Sequence, residues 1–244
     1  LDHKPSFDEV IGYRRAKATD KYFWKVISIQ FRNFIKWYNL KRIYRANVFI
    51  VKETLFNTMY VQDLRALADL CRLAKDKDAE KYESLAHKVA MRIIELMYDE
   101  ETAAFYDVCG PENKKLKVLT FTIGIPIIMK EVSKEVAHEI LKRHFLNEEE
   151  FNLTYPIPSV AKSEASFDPH DSRFLWRGPT WPVINWFLYH SFKANGFETH
   201  ARSLVRAMKD LIEKSGFREF YNPFNGKGYG AEDFTWSGLI VDMM

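Results

Sequence analysis

Apolar residues recur at spacings of three and four along most of the chain, and stretches rich in proline and glycine separate the periodic segments. In the first segment Phe23, Trp24, Ile27, Phe31, Phe34, Ile35 and Tyr38 share one face. With Thr19 or Asp20 as N-cap, this predicts a helix over about residues 19–39. Val48, Ile50 and Val51 form a short β-branched connector. A second helix is predicted over about 53–75, apolar at Leu55, Met59, Leu64, Leu67, Leu70, Leu73 and Ala74 and polar at Asp63, Arg65, Asp69 and Arg72. The charged turn Lys75-Asp76-Lys77-Asp78 leads to a third, over 79–98, with Tyr82, Leu85, Ala86, Val89, Ile93, Leu96 and Met97 toward the core. Helices joined so closely form an antiparallel hairpin.

Turn chemistry fills 99–118, and the apolar run 119–130 is broken by Gly124 and Pro126, so a helix there is expected to begin at the proline. Ser133 starts the next, to about His144. From Leu146 to Pro179 the periodicity lapses, with Pro156, Pro158, Pro169 and Pro179 along the way; so long a loop inside a compact domain is uncommon and often functional. Helical patterns resume over about 181–194, 199–215 and 236–244. Helical hairpins carrying long loops, with no βαβ rhythm, suit an all-α barrel or solenoid. No repeat of fixed period is visible, which disfavours a TPR or ankyrin array.

Composition narrows the chemistry. The 244 residues are 47% hydrophobic and 28% charged, ordinary for a globular protein, but 15% aromatic is high and suits a large core or a stacking site. A net charge of +3 without a long basic run does not indicate nucleic acid. No apolar run approaches the ~18 residues of a membrane span. Two cysteines, Cys71 and Cys109, are too few for a disulfide framework or a Cys-x-x-Cys zinc site, and a reducing, cytoplasmic compartment is the expectation. His138 and His144 are too far apart to share a helix face, and no metal or cofactor is expected. Gly226-Lys-Gly228-Tyr-Gly230 lacks the Gly-Lys-Ser/Thr ending of a phosphate loop, and no Gly-x-Ser-x-Gly elbow is present.

Two stretches stand out against this background. Leu175-Trp176-Arg177-Gly178-Pro179-Thr180-Trp181 puts two indoles beside a guanidinium and a Gly-Pro turn. Aromatic faces with a fixed donor fork suit the C–H faces and hydroxyl rim of a sugar. A helix-start turn with two core tryptophans would read the same. Phe217 to Gly230 carries Glu219 between aromatic residues and ahead of Asn222-Pro223. Burial among aromatics disfavours a charged carboxylate, and a nearby Arg218 or Arg177 favours it; that balance suits a base that is ionised at neutral pH. A loop carboxylate paired with an arginine is the alternative. Asp2, at the chain start before His3-Lys4-Pro5, shows no role on these grounds.

Taken together, five stretches resemble the (α/α)6-barrel glycoside hydrolases, in particular glycoside hydrolase family 63 with its mannosylglycerate hydrolase-like members. Leu1-Asp2-His3-Lys4-Pro5-Ser6-Phe7-Asp8 is similar to the family's Leu/Met-Asp-Asn-Ser-Pro-x-Trp-Asp. Trp176-Arg177-Gly178-Pro179-Thr180-Trp181 matches Trp-Arg-Gly-Pro-x-Trp, and Glu219-Phe220-Tyr221-Asn222-Pro223 with Gly226 matches Glu-Tyr-Phe/Tyr-Asn-Pro-x-x-Gly. Gly230-Ala231 through Phe234-Thr235-Trp236, with Asp242, looks like the closing helix, and Tyr155 to Ala161 adds a softer match.

The resemblance implies an all-α, (α/α)6 toroid that hydrolyses an α-glycosidic bond of a small saccharide or glycoside with inversion. It carries over Asp2 as general acid and Glu219 as general base, with Trp176, Arg177, Gly178, Trp181, Tyr221 and Trp236 around the sugar. Inversion needs the two carboxyl groups about 6.5–9.5 Å apart. The helices read here fall short of the six pairs of a complete toroid, so residues 1–244 are expected to be the C-terminal two-thirds of a single catalytic domain. His3-Lys4 stand where the family pattern has Asn-Ser, Phe7 where it has Trp, and Leu175 where an aromatic is frequent. Those departures motivate a second reading, a non-catalytic carbohydrate-binding relative of the same fold. Nothing in the sequence indicates an oligomeric state.

Overall fold

The computed structural model describes residues 17–170 and 176–244, with side chains from Trp24 onward. Asp2 and Leu175 therefore lie outside the described residues.

Helices α1 (Lys17–Phe34) and α2 (Leu40–Ala46) come first, and the short strand β1 (Val51–Lys52) leads into α3 (Thr54–Leu73). The apolar stripe predicted on α1 is there, but Trp24, Ile27, Phe31, Phe34 and Ile35 are exposed. A left-handed Lys75 makes the turn from α3 into α4 (Ala79–Met97). The buried stripe of α3 is Thr54, Thr58, Val61, Leu64 and Ala68, and that of α4 is Ala79, Ala86, Ala90, Ile93 and Met97. The predicted hairpin forms, yet Leu67, Leu70, Leu73 and Leu85 are exposed, because a different stripe is buried.

Short strands then tie the turns together. Strands β2 (Tyr98–Asp99) and β3 (Ala104–Phe105) pair antiparallel, and β4 (Val108–Cys109) pairs with β1 on one side and β5 (Lys114–Lys115) on the other. The apolar run does not wait for Pro126: a 3-10 helix spans Phe121–Ile128 with the proline inside it, and Thr122 to Ile127 are buried. Gly124 is required there, since a Cβ would stand 2.3 Å from the Phe145 ring. Ser133 caps α5 (Lys134–Ile140), its Oγ accepting from the Val136 N–H, and a π-helical turn, Leu141–Phe145, extends it.

The C-terminal part holds a second helical hairpin, α6 (Pro182–Ala194) and α7 (Glu198–Ser215). Pro182 occupies the first turn of α6, where its missing N–H costs nothing. Ala201, Leu204, Met208 and Leu211 give α7 a stripe spaced three and four apart. The predicted loop at 217–230 is instead a β-hairpin of β6 (Arg218–Tyr221) and β7 (Gly228–Glu232), followed by a 3-10 turn, Thr235–Leu239, and α8 (Ile240–Met243).

The long aperiodic segment is tied to the elements before and after it. Its backbone is stitched by paired residues: Thr120 with Val160, Pro158 with Thr180, and Thr180 with Tyr221. Ala161 N–H donates to Leu119 at 2.9 Å, Ser159 N–H to Pro179 at 3.0 Å, and Thr180 and Tyr221 exchange both their N–H···O=C bonds at 2.9 Å. Asn185, fully buried on α6, accepts from the Ile157 N–H and donates to the Ile157 and Trp181 carbonyls. An aperiodic backbone can be buried only if its polar groups are paired in this way.

Candidate active site

The two stretches singled out in the sequence meet at the Thr180–Tyr221 pairing. Trp176 stacks on Trp181 with ring centroids 3.9 Å apart and planes within 4°, and Trp181 stacks in turn on Phe220 at 4.6 Å. Trp236 leans against both indoles, 6.3 Å from Trp176 and 5.8 Å from Trp181. An aromatic wall thus rests on the strand that carries Glu219.

The members of this wall differ in burial. Trp181 is 1% exposed and Tyr221 is fully buried, so neither presents side-chain surface. The Tyr221 hydroxyl donates to the Gly216 carbonyl at 2.7 Å, accepts the Arg218 N–H and meets Ser237 Oγ at 2.9 Å. Gly178 is buried as well. Its φ of +139° and a virtual Cβ 2.9 Å from the Phe167 ring leave no room for a side chain, and its N–H donates to Ser159 Oγ. Trp176, Arg177 and Trp236 are half-buried and retain accessible surface. The Arg177 carbonyl accepts from the Asp168 N–H, which ties the motif to the preceding loop.

Glu219 is also half-buried. Its Oε2 accepts the Ala231 N–H at 3.1 Å, across the hairpin. Arg218 pairs with Glu232 on β7. Asn222 closes the hairpin: its Oδ1 accepts from the Phe224 and Asn225 N–H groups and its Nδ2 donates to the Pro169 carbonyl. Asp242 accepts from Trp186 Nε1 at 2.7 Å and lies 3.0 Å from His190 Nε2. Those contacts, the indole donor first, hold its carboxyl below the usual range. Among the described residues no group of three or more His, Cys, Asp or Glu is placed to hold a metal ion, and no helix is long and apolar enough to cross a membrane.

The order of these elements is that of one known domain. The model of the mannosylglycerate hydrolase MGH1-like glycoside hydrolase domain matches residues 2–237. The chain belongs to this family. A mannosylglycerate hydrolase of Rubrobacter radiotolerans is 28% identical over 93% of the chain and 50% of its own length. A solved protein from Thermus thermophilus has 26% identity and a TM-score of 0.81 over 95% of the chain and 55% of its own. A GH63 mannosylglycerate hydrolase from the same organism, solved in complex with Tris and D-glycerate, has 26% identity and a TM-score of 0.77 over 88% and 50%. The chain spans about half the length of each of these three relatives. Its helical hairpins and these neighbours make the fold an all-α one of the (α/α)6 toroid class.

Sequence reasoning brought Trp176, Arg177, Trp181, Glu219, Tyr221 and Trp236 to one region. It assigned no role to the Ala231 backbone, to Ser159 beside Gly178 or to Ser237 beside Tyr221. A main-chain donor leaves no residue-type signal. The glycines at 228 and 230 were the available clue, since they mark a backbone that passes close to another group.

Proposed function

We propose that this chain carries the hydrolytic site of an inverting α-glycosidase acting on a small glycoside, with an α-glycoside of glyceric acid as the candidate substrate class. The observation that carries the reading is Glu219, a half-buried carboxylate anchored through Oε2 to the Ala231 N–H, on the strand that backs the aromatic wall. Glu219 is assigned as general base and Asp2, outside the described residues, as general acid. As water attacks the anomeric carbon, Glu219 takes its proton. The bond to the leaving oxygen breaks, and that oxygen takes the proton of Asp2. The names of the relatives support the glycerate aglycone.

Burial refines the other roles. Trp176, Arg177 and Trp236 are assigned to the sugar subsite, since each retains accessible surface while Trp181 covers one face of Trp176. Trp181, Tyr221 and Gly178 are assigned to the support behind it, because each is buried. Residues 1–244 are read as part of a single catalytic domain.

The test is Glu219→Gln, which keeps the shape of the side chain and removes its basicity. Activity on a panel of α-glycosides is expected to fall by roughly 10²–10⁴-fold with the circular dichroism spectrum unchanged. The wild-type product, followed by NMR at early times, is expected to be the β-anomer. Full activity of the variant, or retention of configuration, overturns the reading. The departure at His3-Lys4 favours a non-catalytic sugar-binding relative as the second reading; calorimetric sugar binding without any turnover would select it.

A further inference from the structure

The hairpin holds Glu219 through an irregularity of its backbone. Arg218 is opposite Glu232 and Phe220 is opposite Tyr229, so two residues of β7, Gly230 and Ala231, face the single residue Glu219. This is a β-bulge, and its first residue, Gly230, has φ +67°, in the left-handed region typical of the glycine-containing type. A Cβ on Gly230 would stand 2.5 Å from Glu219 Oε2, 2.7 Å from Glu219 Cβ and 2.7 Å from Phe220 Cε1. Position 230 thus excludes a side chain twice over, by backbone sign and by space. The extra residue turns the Ala231 N–H onto the carboxylate, while Ala231 itself is exposed and its methyl group is not needed for the contact.

We infer that the Gly230–Ala231 bulge is a positioning device for the Glu219 carboxylate. The Ala231 N–H fixes Oε2, the empty space at Gly230 lets the side chain lie flat against β7, and Oε1 is thereby presented as the atom that accepts the proton of the attacking water. Gly230 and Ala231 act through Glu219 and touch no reacting atom, so the inference rests on Glu219 being the base. Displacing a reacting group by about 1 Å costs on the order of a hundredfold in rate, which sets the effect to look for.

The experiment compares Gly230→Ala, Gly196→Ala, Ala231→Ser, Ala231→Pro and Glu219→Gln on a glycoside that the wild-type enzyme cleaves, with kcat and KM determined separately. Gly196 has φ +77° and nothing within 4 Å of a virtual Cβ, so Gly196→Ala carries the same backbone penalty without a neighbour to push. Gly230→Ala is expected to lower kcat by about a hundredfold with KM little changed, and Gly196→Ala to leave both near wild type. Ala231→Ser keeps the N–H and should keep kcat; Ala231→Pro deletes the donor at a bulge, a place that accommodates proline, and should lose it. If Gly230→Ala does not fold, the serine and proline pair at 231 decides. A Gly230→Ala enzyme with wild-type kcat, a loss confined to KM, or serine as damaging as proline at 231 overturns the inference. An active Glu219→Gln overturns the assignment of the base itself, so the two failures are distinguishable.

Discussion

Tyr221 shows how a residue two positions from Glu219 can hold the hairpin without presenting side-chain surface. Its hydroxyl joins three partners, the Gly216 carbonyl, the Arg218 N–H and Ser237 Oγ, at the end of α7 and the start of the 3-10 turn Thr235–Leu239. Tyr221→Phe keeps the ring and removes that junction, leaving the buried Ser237 Oγ and the part-buried Gly216 carbonyl and Arg218 N–H without that partner. Buried polar groups that lose a partner cost about 1–3 kcal/mol. Urea denaturation is expected to show a loss of that size, while KM of the folded variant stays near wild type. A large rise in KM with unchanged stability would instead place the hydroxyl against the substrate. The same burial explains what the sequence could not convey about the wall. Trp181 and Tyr221 stand in the motif beside Trp176 and Trp236, and residue type does not say which of four aromatic rings keeps an open face.

At the level of elements, the β6–β7 hairpin is the piece on which the site is built, and Asn222 fixes its turn. The buried amide accepts two N–H groups of the turn and donates to Pro169 in the long loop. Asn222→Ala is expected to cost about 1–3 kcal/mol and to loosen loop and hairpin together, which hydrogen exchange at Gly226 and Lys227 would register as faster amide exchange. Protection equal to wild type would argue against the amide as the pin. The helical hairpins were legible because long amphipathic segments carry a redundant signal: the predicted 53–75 and 79–98 became Thr54–Leu73 and Ala79–Met97. Their packing faces were less so, since α3 buries Thr54, Thr58, Val61, Leu64 and Ala68 and α4 buries three alanines with Ile93 and Met97, while Leu67, Leu70, Leu73 and Leu85 remain outside. The β6–β7 hairpin was hidden by its own chemistry. A bulge breaks the alternation of sides, and glycines at 226, 228 and 230 read as a loop when they are spaces cut for Tyr155, Arg218 and Glu219.

At the scale of the molecule, an ion cluster around the buried Asp99 carboxylate ties stability to pH. Burial alone would push the Asp99 carboxyl up. The Lys117 ammonium, the Thr102 hydroxyl and N–H, and the Lys115 ammonium together outweigh it and hold that carboxyl far below the usual aspartate range. Lys115 also donates to the Tyr98 carbonyl, so the cluster binds β5 to the end of α4. A depressed folded-state value means that the unfolded chain binds the proton more readily. The contribution is therefore complete above the unfolded value, near 3.8, and is lost as pH falls below it toward the folded value. Acid unfolding of wild type is expected to steepen in that range, and Asp99→Asn to be less stable at neutral pH with a flatter acid limb. Parallel curves for the two proteins would remove Asp99 from the account. The amphipathic pattern of α1 illustrates a further limit at this scale: Trp24, Phe31 and Phe34 define an apolar face, and a pattern alone does not specify what lies against it.

The reciprocal pairing of Thr180 with Tyr221 has a consequence for how this chain could be rewired. The indole motif and the glutamate strand are held by hydrogen bonds from one backbone to the other, and the residues between them form the α6–α7 hairpin, whose joint at Gly196 is exposed and open. Covalent continuity through that joint is thus not what registers the two halves of the site. Gly196 is a place where the backbone could be cut, because a break there leaves the wall and its carboxylate sewn together across the seam.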